Sequence, residues 1–291
     1  MERVPKVGIV GAGPVGTALG VAIGRAGWPV VAVASRDADR RARFAAAVPG
    51  VRSFAESAAV LPKVDLVVLA VPDDAIAAVV TGLRLRRGQM LIHTSGVLAA
   101  EVLEPAAVDG GHVGAFHPLV SFTSDVERSV AGLAGCTIAI EGDDTIVPVL
   151  ERLAASIGGS PLLLPPGTRA IYHAAAAMAS GGLVALLDAI VTLGAVAGLD
   201  ERGSLAVYGR LMEQILANAR ATGVAAALTG PIARGDAGTV AAHLDAVGRL
   251  APGVMDLYLA TARRELEMVE ERGTLSPNQR DGVRTALAKV V

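Results

Sequence analysis

Lys6-Val7-Gly8-Ile9-Val10-Gly11-Ala12-Gly13-Pro14-Val15-Gly16 is the stretch that decides how this chain is read. An apolar run ends in a glycine-rich turn, and a helical pattern, Val15–Gly27, follows. The three glycines of the spacing have separate tasks. Gly11 permits a tight turn off the strand, Gly13 lets the backbone approach a pyrophosphate, and Gly16 lets the helix lie close on the sheet. Pro14 and Val15 open that helix, whose N-terminus offers unpaired N–H groups and a partial positive charge. The spacing alone is a weak signal, because a purely structural turn would share it. Its position between strand and helix, at the start of a βαβ unit of about 30 residues, points to dinucleotide binding.

Moving outward, Pro29–Arg36 reads as a second strand. At its end, about 20 residues past the glycines, an acidic side chain would select NAD by bonding the ribose hydroxyls. Ser35 and Arg36 stand there instead, with Arg40 and Arg41 a turn later. A carboxylate would repel a 2′-phosphate, whereas a hydroxyl and a guanidinium bind it, so the expected cofactor is NADP. The alternative is that these arginines are the solvated face of a surface helix. A third strand, Asp65–Pro72, runs into Val71-Pro72-Asp73-Asp74. Val71 and Pro72 would lie along a ribose, and Asp73 or Asp74 would cap the next helix. Gln89–Gly96, His112–Leu119, Cys136–Gly142 and Pro161–Leu164 are further strand candidates.

Apolar strands alternating with helical patterns indicate a doubly wound parallel sheet covered on both faces. The texture changes at Pro165-Pro166-Gly167, after which only helical patterns follow: Arg169–Gly198, Glu201–Thr222, Thr239–Leu250, Pro252–Arg272 and a last helix opening on Ser276-Pro277-Asn278-Gln279 with the signature of a capping box. The fold class is therefore α/β, with a Rossmann domain over 1–166 and an all-α domain over 167–291.

The 291 residues are 52% hydrophobic and 19% charged, which excludes a disordered chain. A formal net charge of −2 without a basic stripe argues against nucleic acid. The single cysteine, Cys136, excludes an internal disulfide, and the five histidines form no metal motif, so no catalytic metal is expected. Ala174 to Leu187 is uncharged but shorter than the roughly 20 apolar residues a span needs, and is read as a buried core helix rather than a membrane segment. With no charged leader ahead of the first strand, a cytoplasmic location is expected.

Candidate chemistry sits at strand ends and at the head of the long helix. His117, ahead of Pro118 at a strand end, and His173, beside Tyr172 in the first turn of that helix, suit proton transfer near neutral pH. Either histidine could instead simply bond a carbonyl. Thr94-Ser95-Gly96 offers two hydroxyls and unhindered backbone to a nicotinamide ribose or a substrate, or is a plain turn; His93 before it reads as a buried orienting residue. Arg234 in Gly230-Pro231-Ile232-Ala233-Arg234-Gly235-Asp236 could clamp a substrate carboxylate. Asp236 is expected to cap the following helix, and His243 to pack.

The glycine loop, together with Leu69–Ile76, His93–Gly96, Gly114–Phe122, Tyr172–Ser180 and Leu228–Asp236, resembles the Rossmann-like proteins whose C-terminal half is a domain of unknown function. These fall within the wider 6-phosphogluconate-dehydrogenase-like group. The resemblance runs through most of the chain and implies an NADP-dependent oxidoreductase-like fold with a helical dimerisation domain. Ketopantoate reductases, pyrroline-5-carboxylate reductases and hydroxyacid dehydrogenases are distant relatives, several of which use a lysine of the helical domain as proton donor. This sequence has only Lys6, Lys63 and Lys289, none in the long helix, which excludes that device unless the C-terminus folds back. It also departs from the family pattern at Gly181-Gly182, where an Asn-Tyr pair is frequent. The expected function is reduction of a ketone or imine on a small carboxylate, ketopantoate being favoured from kinship, with Ser95, His117 and His173 as catalytic groups and Arg234 and Tyr172 on the substrate. The alternative is an NADP-binding sensor or assembly protein without turnover. A homodimer through the small residues of the helical half is expected.

Overall fold

In the computed structural model, which describes residues 3–289, the glycine-loop strand β1 (Val7–Val10) is buried along its whole length. It lies at the middle of an eight-stranded sheet with β2 (Val30–Ala34), β3 (Arg52–Phe54), β4 (Leu66–Leu69), β5 (Met90–His93), β6 (His112–Pro118), β7 (Thr137–Gly142) and β8 (Ser160–Leu163), in the order 3-2-1-4-5-6-7-8. From β1 outward to β3 and to β6 every pairing is parallel, with Val10 beside Leu69, Leu69 beside His93, and His93 beside Ala115. The carboxyl ends of five strands carrying candidate residues therefore share one edge. The order reverses between β1 and β4, where open α/β sheets bind ligands.

Alternation along the strands sends side chains to two separate cores. Ile9, Val68, Ile92 and Phe116 face one side, covered by α1 (Pro14–Arg25), α2 (Ala38–Ala47) and, beyond α3 (Asp73–Val80) and α4 (Val126–Ala131) in the chain, α5 (Val147–Ser156). Val10, Val67, Leu69 and Leu91 face the other, under Ile76 and Val80 of α3 and the 3-10 turns Ser57–Lys63 and Ala100–Ala106.

Three expectations need correction here. The sheet is not wholly parallel, because β7 runs antiparallel to β6, with His117 opposite Ala139. A parallel return needs a crossover long enough to span the sheet, and the six-residue α4 is too short for one. The three-residue edge strand β3 has no apolar run of its own and was not foreseen. Asp73 and Asp74 do not cap α3: Pro72 is the N-cap residue, without a side-chain bond, and the aspartates lie in the first turn, where their charge favours the positive helix end.

The chain divides into two compact units at Ala177/Met178, so residues 167–177 count with the sheet. The first of them is α6 (Arg169–Ala177), whose opening residue is tied to β7 and to the turn after β5. The second unit begins with a π-helical turn, Met178–Gly182, at the glycine pair. It continues through α7 (Leu183–Val196), α8 (Glu201–Thr222), α9 (Val224–Ala227), α10 (Pro231–Arg234), α11 (Ala237–Leu250), α12 (Met255–Arg272) and α13 (Pro277–Ala288). Its principal core joins Ile232, Val240, Leu244, Leu259, Leu266, Val283 and Leu287, all from α10 to α13. Asp236 caps α11, and Ser276 with Gln279 completes the capping box of α13. The expected burial of the long apolar helix does not hold: over Arg169–Val196, which is long and apolar enough to cross a membrane, only 6% of the most apolar window is buried. Apolar composition sets what a helix would gain by being covered, and this unit's own core lies elsewhere.

Candidate active site

The glycine loop is shaped by contacts that leave little choice of residue at two positions. Gly11 has φ +106, and a Cβ there would strike the carbonyl of Ala70; a Cβ on Gly16 would strike the carbonyl of Gly11. These two glycines let β1, β4 and α1 meet. Gly13 differs: no atom lies within 4 Å of where its Cβ would be, so the backbone faces open space. It is the N-cap residue of α1, no side chain caps that end, and Pro14 follows. Open glycine backbone at an uncapped helix start is the arrangement that can take a pyrophosphate.

At the end of β2, Ser35 is half-buried and Arg36 exposed. Arg41 is not available for a ligand in the same way, since its guanidinium donates to the carbonyls of Ser35 and Arg36 and stitches the turn. Arg40 pairs with Asp37 at 3.3 Å on the surface. Val71 borders the space above Gly11, and Pro72 is exposed beside it. Thr94 follows β5, its N–H donating to the Leu69 carbonyl at 3.1 Å. All these residues line one edge.

Farther along that edge the chain gathers a polar cluster. His93 is fully buried; its Nε2 meets the Ala99 carbonyl at 3.1 Å and its Nδ1 accepts the Ser95 N–H at 3.2 Å. Both nitrogens are engaged in holding the turn, which fixes the tautomer with hydrogen on Nε2. Burial pulls its pKa down to about 4, with Arg169 adding to the effect. The Ser95 hydroxyl is also turned inward, accepting the N–H groups of Val97 and Leu98 at 3.2 and 3.1 Å.

His117 and His173 meet over Gly96. Their rings stand edge to face, 5.7 Å apart at 74°. A Cβ on Gly96 would collide with the His173 ring and lie 2.8 Å from its Nε2 and 2.9 Å from Nε2 of His117, so a glycine is what admits both imidazoles. Burial, then Arg169 and His173, pull the His117 pKa to about 4, and it is neutral at pH 7. Tyr172 sets its ring edge-on to His117 at 6.0 Å. Burial pushes the phenol upward, so it keeps its proton, and its hydroxyl has no partner. His117 Nδ1 and Arg169 Nε are likewise buried and unpartnered. Three orphaned polar atoms in one cluster mark a place built for more than packing.

Sequence reasoning missed the pair that anchors this cluster. Arg169, only 3% exposed, reaches Glu141 at the end of β7 at 3.3 Å and the Ser95 carbonyl at 3.0 Å. Glu141 also accepts the Ala100 N–H at 3.3 Å. The signal available was a lone acid closing an apolar strand and a lone base opening an apolar helix. In the second unit Arg234 is exposed at the end of α10, its carbonyl accepting from Gln279 Nε2 at 3.0 Å, and His243 bonds the Tyr258 hydroxyl at 2.9 Å. Among the described residues no three His, Cys, Asp or Glu side chains gather as metal ligands do.

Comparison with known proteins adds the following. Residues 2–118 match the family described as a Rossmann-like domain, and residues 136–265 match a domain of unknown function, DUF2520. No curated protein matches the chain. Among solved structures, a Bacteroides fragilis protein inferred to be an NADP oxidoreductase superposes with a TM-score of 0.74 at 22% identity, over 90% of this chain and 97% of that one. An imine reductase from Pseudomonas sp. gives 0.70 at 19% identity, over 98% and 100%. A reductive aminase from Aspergillus terreus, in complex with NADPH and ethyl-5-oxohexanoate, gives 0.63 at 16% identity, over 99% and 93%. At these identities the likeness establishes the fold.

Proposed function

This chain joins a Rossmann-like domain to a DUF2520 domain, and on that premise we propose that it is an NADP-dependent reductase of a ketone or imine carried on a small carboxylate. The observation that carries the reading is the shared sheet edge. The open Gly13 backbone, Ser35-Arg36, Val71-Pro72, Thr94 and the His117–His173 pair all stand at strand ends along it. The Aspergillus reductive aminase of similar fold is a complex with NADPH, which supports the choice of cofactor.

Gly11, Gly13 and Gly16 with the start of α1 would hold the pyrophosphate, with Pro14 and Val15 shaping that helix entry. Ser35 and Arg36 would hold the 2′-phosphate, and Val71, Pro72 and Thr94 would border the riboses. When bound, NADPH supplies a hydride. The chain's own residues then orient the acceptor and manage one proton. His117, neutral and held by Tyr172 and Arg169, hydrogen-bonds the acceptor atom, and His173 delivers the proton to it. Tyr172 contacts the substrate with a hydroxyl that stays protonated. Ser95 acts through the turn it closes. Arg234 clamps the carboxylate. Ketopantoate belongs to the class of substrate meant.

We also propose that the protein is a homodimer rather than a membrane protein. Val207, Leu211 and Ile215 are spaced every four residues along α8 and stand exposed, as do Leu183 and Val184 on α7. A stripe of this kind at helical spacing is what a second helical unit would cover. The apolar run that could span a bilayer begins at Arg169, whose guanidinium is paired inside the sheet unit, which argues for a water-side location.

The experiment is consumption of NADPH, followed by nicotinamide absorbance, against a panel of keto and imino acids. Turnover of at least one is expected, and His173→Ala should lower it roughly 100-fold with little change in NADPH affinity. Tight NADPH binding with no turnover on any compound would contradict the reductase reading, and unchanged turnover would remove His173 from the chemistry.

A further inference from the structure

We infer that the acceptor reduced at this site is a carbonyl rather than an iminium, because His117 and His173 present two ring nitrogens to a single atom in a place that offers no free negative charge. The inference rests on the reductase reading and narrows it.

The geometry comes first. Both Nε2 atoms stand within 2.9 Å of the same point above Gly96, so their separation cannot exceed the sum of two hydrogen-bond lengths. One oxygen can therefore bond to both nitrogens at once. A carbonyl oxygen has two lone pairs for this purpose, and an alkoxide has three. An iminium nitrogen has none, and offers at most one N–H.

The tautomer points the same way. Nδ1 of His117 is buried without a partner. A buried N–H with no acceptor is rarer in proteins than an under-used lone pair, so the hydrogen of neutral His117 belongs on Nε2. That makes Nε2 a donor towards the bound atom. Beside it the Tyr172 hydroxyl, also buried and unpartnered, holds a second proton. Donors suit an oxygen that becomes negative.

The charges complete the argument. Glu141 is the carboxylate anchored in this cluster, and it is already engaged by Arg169 at 3.3 Å and the Ala100 N–H at 3.3 Å. Arg169 retains a buried, unpartnered Nε. The charged neighbours acting on the His117 ring are Arg169 and His173, both pressing it towards neutrality; Asp73 acts on His93 instead. A cationic acceptor would enter this place without a counter-ion, while a carbonyl would gain charge of the sign the surroundings favour. The reaction balances. The carbonyl carbon gains the hydride supplied by reduced nicotinamide, the π pair passes to oxygen, and oxygen takes a proton through His173, giving an alcohol and the oxidised nucleotide.

The test is equilibrium binding, read from the histidine ring resonances of the full chain loaded with NADP. The ligands are 2-oxopentanoate and the N-methylated iminium of 1-pyrroline-2-carboxylate. Both carry a carboxylate, and they differ in whether the acceptor is a neutral oxygen or a permanent cation. The keto acid should bind at least tenfold more tightly and shift two ring resonances, one lost in His117→Gln and the other in His173→Gln. Should the buried-ring variant not fold, His173→Gln alone decides the assignment. Equal or tighter binding of the iminium, binding of neither compound, or unmoved histidine resonances would overturn the inference. Nucleotide loading is measured first: a chain that fails to load contradicts the reductase reading itself, whereas one that loads and prefers the iminium contradicts only the carbonyl assignment.

Discussion

Gly13 and Gly16 stand three residues apart in one loop, and the structure gives them opposite surroundings. Gly16→Ala puts a methyl against the Gly11 carbonyl, and should cost about 1–3 kcal/mol in chemical denaturation, as overpacking does. Gly13→Ala meets open space at a backbone angle, φ −80, that alanine accepts. It should leave stability unchanged or raise it by up to about 1 kcal/mol, yet weaken NADPH binding roughly tenfold or more by holding the pyrophosphate off the backbone. Equal NADPH affinity in Gly13→Ala would show that the loop is not the binding surface. The buried histidines make a prediction in pH. His93 and His117 titrate near 4 when folded and near 6.5 in the unfolded chain. Between those values the unfolded chain binds more protons, so stability is complete above about pH 6.5 and is lost as pH falls towards 4. The urea midpoint should drop across that window, and His93→Gln should flatten the drop; an unchanged slope would contradict the burial of that ring. Glu141→Gln leaves the Arg169 charge buried without its counter-ion and should cost about 3 kcal/mol.

At the scale of elements, local chemistry was legible and pairing across the chain was not. The capping box of α13 could be read from four consecutive letters, and Ser276→Ala should remove about 1 kcal/mol measured by thermal unfolding; no change in Tm would mean that α13 is stabilised by packing alone. The glycine turn, β1, β4, β5 and α8 were legible for the same reason, since a strand buried on both faces and a periodic helix write their pattern into adjacent residues. The reversal at β7 was not, because strand direction depends on where a 20-residue connection goes rather than on what the strand contains. Nor was the Arg169–Glu141 pair, whose members lie 28 residues apart and carry no spacing signal. His117 and His173 were each visible as candidates, but that they meet over Gly96, and that Gly96 must lack a side chain for them to do so, follows from the fold alone.

For the whole molecule, the apolar run Arg169–Val196 and the stripe on α8 show the limit of composition as a guide. They were expected to be buried, and in the single chain they are largely exposed. If a second copy covers them, sedimentation should give a dimer, and Leu211→Glu, which places a charge in the middle of the stripe, should give a folded monomer. A wild-type monomer, or a variant that still dimerises, would place the interface elsewhere. The account of the molecule as a reductase depends above all on the nucleotide, and fluorescence titration of the purified chain with NADPH and NADH tests this most directly. The account predicts saturable NADPH binding at least tenfold tighter than NADH, with the preference reversed in Arg36→Asp; equal affinity for the two, or none for NADPH, would contradict it.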